Sequence, residues 1–93
     1  MNLVEKVKQS DHDAAIELIK DYLREQAAEV TQQNVADIRD DVSFEDLGFE
    51  SMESVEFTLE ITDNQGLEVD VPDLYNNPSI NEFAVYLLEM ING

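Results

Sequence analysis

Apolar residues recur every three or four positions along three stretches of this chain, and each stretch predicts an amphipathic helix. In the first, Ile16, Ile19, Leu23, Ala27 and Val30 form a stripe flanked by Ala15, Leu18 and Tyr22. It runs over about 11–30, with Ser10 or Asp11 placed to cap it and Asp13 in its first turn. The second spans roughly Ser51 to Asn64. On a wheel of about 100° per residue, Met52, Val55, Leu59 and Thr62 fall on one side, Phe57 and Ile61 on another, and Thr58 between them. The combined arc exceeds half the circumference, which predicts a helix packed against several others. Glu53, Glu56, Glu60 and Asp63 share the remaining arc. In the third, Ile80, Phe83, Leu87 and Ile91 form the stripe with Ala84 and Leu88 beside it, and Ser79-Ile80-Asn81-Glu82 is a capping-box sequence.

Between these stretches the period lapses. Residues 1–10 carry only Leu3, Val4 and Val7, which fits one or two helical turns or a frayed lead. The polar, acidic run from Thr31 to Gly48 reads as a long connection pinned to a core by Val35, Ile38, Val42, Phe44 and Leu47. Residues 66–71 alternate as a strand would, but nothing else in the chain offers a partner strand, so they read as extended loop. Pro72-Asp73-Leu74-Tyr75 predicts a short helix with proline in its first turn, ended by Asn76-Asn77-Pro78. The expected fold is a small all-α four-helix bundle, three main helices and one short, with a long connection between the first two. All 93 residues form a single domain, 1–10 being its lead.

Composition narrows the function. Twenty-two Asp and Glu against five Lys and Arg give a formal charge of −17, which opposes binding to nucleic acid and favours partners with basic surfaces. Hydrophobic residues make up 43 % of the chain, too many for a disordered acidic tail, so the charge coats a folded body. There is no cysteine, hence no disulfide, no thiolate metal site and no thiol nucleophile native to the chain. The first residues lack the apolar run of a signal peptide, and no stretch reaches transmembrane length; a soluble, cytoplasmic, monomeric protein is the simplest expectation.

Ser51 is the candidate of most interest. It follows the Gly48 turn and opens the second helix, where free N–H groups and the helix dipole favour an attached phosphate. On position alone it reads first as an ordinary cap or first-turn serine. His12, the only histidine, stands at the very start of the first helix, so no general base is evident beside Ser51 and a serine-hydrolase triad is not expected. Asp40, Asp41, Glu45 and Asp46 cluster in the connection, yet the alternating ligand spacing of an EF-hand is missing and a solvated face is the plainer reading. Tyr22, Tyr75 and Tyr86 are assigned to packing.

The run Phe44-Glu45-Asp46-Leu47-Gly48-Phe49-Glu50-Ser51-Met52-Glu53-Ser54-Val55-Glu56-Phe57 resembles the modification site of acyl carrier proteins and their peptidyl and polyketide relatives, which carry an F-x-x-L-G-x-D-S-L-x-x-V-E-L pattern. The resemblance extends upstream to Ile38 and Asp41 and downstream through Gly66, Pro72, Pro78-Ser79-Ile80, Phe83 and Tyr86-Leu87-Leu88, covering roughly residues 11–91. It implies a four-helix bundle whose serine, matched by Ser51, is esterified by the 4′-phosphopantetheine of coenzyme A. The arm's thiol then holds acyl intermediates as thioesters, and the protein itself catalyses nothing. Implied partners are a phosphopantetheinyl transferase, acyltransferases, ketosynthases and other acyl-processing enzymes with basic docking surfaces. The matching recognition residues are Glu50, Met52, Glu53, Glu56 and Glu60. Two positions depart from the pattern: Glu50 replaces an aspartate and Met52 a leucine. The Gly48–Ser51 turn and the 78–83 segment look closer to polyketide-type carriers than to primary fatty-acid carriers. The alternatives are a peptidyl or aminoacyl carrier, an unmodified acidic adaptor that binds basic proteins, and a calcium-binding regulator built on Asp40, Asp41 and Asp46.

Overall fold

A computed structural model describes residues 2–93; the first residue of the 1–10 lead lies outside them. Five α-helices follow in order: α1 (Leu3–Lys8), α2 (His12–Thr31), α3 (Ser51–Gln65), α4 (Val71–Asn76) and α5 (Ile80–Asn92). The three long helices stand where the periodicity places them. The lead is not frayed: Asn2 caps α1 by accepting the Glu5 N–H at 2.9 Å, and Val7 is buried beneath α2 and α5. Among the described residues there is no strand, only a single antiparallel pairing of Ser43 with Ser79. Residues 66–70 are extended loop, and their alternation is used to bury Leu67 and Val69 rather than to build a sheet. No described helix is long and apolar enough to cross a membrane.

Asp11 rather than Ser10 caps α2, accepting the Ala14 N–H at 2.9 Å. The buried face of α2 is Ala15, Ile19, Leu23, Ala27 and Ala28, with Ile16 and Val30 at its margin, so the core stripe is rotated slightly from the predicted one. This face lies chiefly on α5, whose Ile80, Phe83, Ala84, Leu87, Leu88 and Ile91 are all buried as expected. At the start of α5 the Ser79 hydroxyl accepts the Glu82 N–H at 3.3 Å and donates to the Glu82 carboxylate at 2.9 Å. The glutamate therefore grips the serine side chain rather than its backbone, and the expected reciprocal box forms only in part.

The wheel of α3 requires a larger correction. Only Ser54, Phe57, Thr58 and Ile61 are buried, while Met52, Val55 and Leu59 are 69 %, 45 % and 56 % exposed. The helix lies on the bundle by one narrow face, packed on α2 with α4 alongside, and its second apolar stripe faces solvent. Periodicity reports that a stripe is apolar, not that anything covers it. Tyr75, expected to pack, is 75 % exposed, and Val35, expected to pin the connection, is 46 % exposed. Val35 instead starts a single 3-10 turn over Val35–Asp37.

Candidate functional site

The segment leading into Ser51 is built from non-local anchors. Phe44 donates its N–H to the Pro78 carbonyl at 2.7 Å, and Asn81 at the start of α5 donates to the Asp40 carbonyl at 3.1 Å. The side chain of Asp40 takes both oxygens onto Arg24 at 2.7 Å, with Lys20 at 3.8 Å. Burial of the Arg24 guanidinium works against its charge, but the Asp40 and Asp21 carboxylates outweigh it and raise its pKa. One aspartate thus joins α2, the connection and α5. At the other end, Leu47 and Gly48 donate backward to Phe44 and Glu45, and Phe49 to Phe44, closing a compact turn. Gly48 has φ +104°, a backbone state that side chains strain, and the Gln33 amide braces the turn by donating to the Leu47 carbonyl at 2.7 Å.

The four phenylalanines of the chain meet beneath this turn. Phe44 lies 5.1 Å from Phe49, 5.4 Å from Phe57 and 5.9 Å from Phe83, ring centre to ring centre, and Phe49 is 5.1 Å from Phe57. Tilted and edge-to-face pairs at these distances are favourable beyond their burial. Phe44 and Phe49 flank Gly48, so the turn is held to the core on both sides. The aromatic clamp, the Gln33 brace and the Arg24–Asp40 tie escape periodicity, because each joins residues distant in sequence. The available signal was that two of only four phenylalanines bracket the glycine.

Ser51 emerges from this scaffold as the exposed first residue of α3. Glu50, not Ser51, occupies the cap position, in extended conformation. Its N–H is accepted by the Glu53 carboxylate at 2.9 Å, while the return contact from the Glu50 carboxylate to the Glu53 N–H is looser than a hydrogen bond. The first intrahelical bond runs from the Ser54 N–H to the Glu50 carbonyl at 3.0 Å. The N–H groups of Ser51 and Met52 therefore have no acceptor within the helix. Glu45, Asp46 and Glu50 stand close in sequence around Ser51, and their charge opposes capture of free phosphate. A covalent link needs no such affinity, so the position suits a phosphodiester on the serine better than a dissociable anion.

Beside Ser51 lies a cleft of about 740 Å³ between the turn, α3 and α4. Phe44, Phe49, Leu74 and Pro78 give it apolar surface, and Ser43, Ser54 and Tyr75 give it hydroxyls. Along the outer side of α3, Met52, Val55 and Leu59 form an exposed ridge bordered by Glu53, Glu56 and Glu60. Glu60 also accepts from the Asn64 amide at 3.3 Å. The structure thus brings all the predicted recognition residues to one end and one flank of α3. The acidic group of the connection is dispersed: Asp40 is engaged by Arg24 and Lys20, and Asp41 by Arg39 at 3.4 Å. Among the described residues no three His, Asp or Glu gather in a way that would hold a metal ion. His12 is exposed on the first turn of α2, on a shallow groove with Asn81 and Val85.

The Phosphopantetheine attachment site family matches residues 21–87, which includes the turn, Ser51, the cleft and most of α5. Several solved structures share the fold, among them a carrier domain and a free-standing carrier protein. The HMG-ACPI domain of the CurA module from Lyngbya majuscula is 30 % identical, with a TM-score of 0.77 over 82 % of this chain and 77 % of that one. A free-standing peptidyl carrier protein from a secondary metabolic pathway of Acinetobacter baumannii is 23 % identical, with a TM-score of 0.76 over 80 % of this chain and 92 % of that one, a likeness of fold. No curated protein matches the chain significantly. With the greater part of its length in that match, the chain belongs to the phosphopantetheine attachment site family, whose non-catalytic carrier domains bear 4′-phosphopantetheine as a covalent group.

Proposed function

We propose that the arm is esterified to Ser51 and that this protein carries acyl groups as thioesters on it, presenting them to enzymes that dock along α3. The observation that carries the reading is the placement of Ser51: an exposed hydroxyl at the first position of a helix, behind a braced glycine turn, inside the region matched to the family. The arm supplies the thiol that a cysteine-free chain lacks. Exposure of the serine gives a transferase access to the oxygen, and the free N–H groups of the first turn accommodate the negative phosphodiester. Met52 and the acidic residues Glu50, Glu53, Glu56 and Glu60 offer basic enzyme surfaces an apolar contact ringed by charge. Acyltransferases and ketosynthases of a polyketide-type system are the partners that best suit this reading, supported by the likeness to the HMG-ACPI domain. A peptidyl or aminoacyl cargo is the second reading, favoured by the cleft's hydroxyl-bearing walls.

Incubation with coenzyme A and a phosphopantetheinyl transferase tests the proposal. Intact mass should rise by one arm. A protein that folds, meets an active transferase and gains no mass is an unmodified acidic adaptor instead.

A further inference from the structure

The cleft beside Ser51 combines apolar floor and hydroxyl walls with acidic side chains. Glu45 and Glu50 are both exposed and both line it. No lysine, arginine or histidine does. None of the five basic residues of the chain lines the cleft. Lys20 and Arg24 serve Asp40, and Arg39 faces Asp41. Lys6 and Lys8 lie on α1, which packs against α2 and α5 rather than against the helices that form the cleft.

A carboxylate brought into this space would leave water, meet two like charges and find no counter-cation. An ammonium group would meet the same two carboxylates as partners, and a hydroxyl would find Ser43, Ser54 and Tyr75. Resting on the reading that Ser51 bears the arm, we propose that the cleft sorts cargo by the charge of its free end: thioester chains ending in an ammonium or hydroxyl group enter, and chains ending in a carboxylate stay in solvent. The carrier is thereby matched to aminoacyl or hydroxyacyl intermediates, while dicarboxylic acyl groups are held exposed on it.

The test uses the full chain loaded by the transferase with three-carbon acyl groups that differ only at the end and are too short to cyclise: 3-aminopropionyl, 3-hydroxypropionyl and malonyl. Amide resonances of Ser54, Leu74 and Tyr75 are compared with those of the free-thiol form. The amino and hydroxy chains should shift these amides, and malonyl should shift them roughly three- to tenfold less at low salt, the size expected for two exposed charges within a Debye length. Glu45→Gln should raise the malonyl response, and high salt should narrow the gap. Equal shifts for all three chains, no shift for any, or a carboxylate-chain response unchanged by Glu45→Gln overturns the proposal while leaving the carrier function intact. A chain that accepts no arm at all overturns the function itself.

Discussion

Tyr22 ends in a buried hydroxyl without a hydrogen-bond partner, and so does the Oε1 of Gln65, which lies near it. Burial raises the pKa of this phenol; the Gln65 and Asn64 side chains partly offset the rise, and the Glu60 charge adds to it. A phenol whose pKa is higher folded than unfolded contributes stability that is complete below the unfolded value, near 10, and is lost as pH rises through the folded value. Tyr22→Phe should therefore leave stability at neutral pH within about 1 kcal/mol of the parent, since no bond is broken, and should flatten the alkaline loss seen in thermal melts. Part of that loss will persist through Tyr86, whose pKa is also raised, by burial first and then by Asp73 and Asp70. A variant that melts much earlier at neutral pH would show a hydrogen bond where this account has none. At this scale the sequence is informative about residue type and poor about surroundings. Ser51 was legible as the opening residue of a helix, but that Glu50 takes the cap and leaves Ser51 exposed depends on the turn before it.

Among the elements, α2 and α5 were readable because each shows a single stripe to a single core, which periodicity encodes directly. The apolar surface of α3 was readable too, but its use was not: the same spacing describes Phe57 and Ile61 in the core and Met52, Val55 and Leu59 in solvent. The connection resisted reading for the opposite reason. Its order comes from hydrogen bonds to Pro78, Asn81 and Gln33 and from rings shared with α3 and α5, none of which leaves a period. Phe49→Ala should accordingly cost about 3–5 kcal/mol in chemical denaturation. It should also slow arm transfer beyond what residual unfolding explains, because the turn that sets Ser51 would lose one of its two aromatic anchors. Full-rate transfer to the folded fraction would show that Phe49 serves stability alone. The ridge of α3 yields a separate expectation. Glu53 accepts the Glu50 N–H, so reversing its charge confounds docking with capping. Glu56 and Glu60 are exposed with no backbone duty, so Glu56→Lys with Glu60→Lys should raise the KM of a partner enzyme about tenfold and leave the helical spectrum unchanged. Unchanged KM with every partner would remove this flank from the docking surface.

For the whole molecule, a charge of −17 is carried on a body of 33 × 25 × 23 Å. Many carboxylates then lie within a screening length of one another, about 8 Å at physiological ionic strength, and folding concentrates them. Five basic residues, three of them held in local ties such as Arg24 with Asp40, do not offset the excess. Added salt or magnesium should raise the melting temperature by several degrees, magnesium acting at lower concentration. A melting temperature indifferent to both would mean that the carboxylates are too well hydrated to matter. The same excess is the feature of composition that argues against nucleic acid and for basic protein partners, but it says nothing about the site, which required the motif and the turn. Ser51 and Ser54 both line the cleft, one exposed and one on the buried face of α3. Intact-mass spectrometry of Ser51→Ala and Ser54→Ala after incubation with coenzyme A and a transferase therefore decides which hydroxyl bears the arm. The account predicts a gain of one arm in Ser54→Ala and none in Ser51→Ala; an arm gained by Ser51→Ala would contradict it.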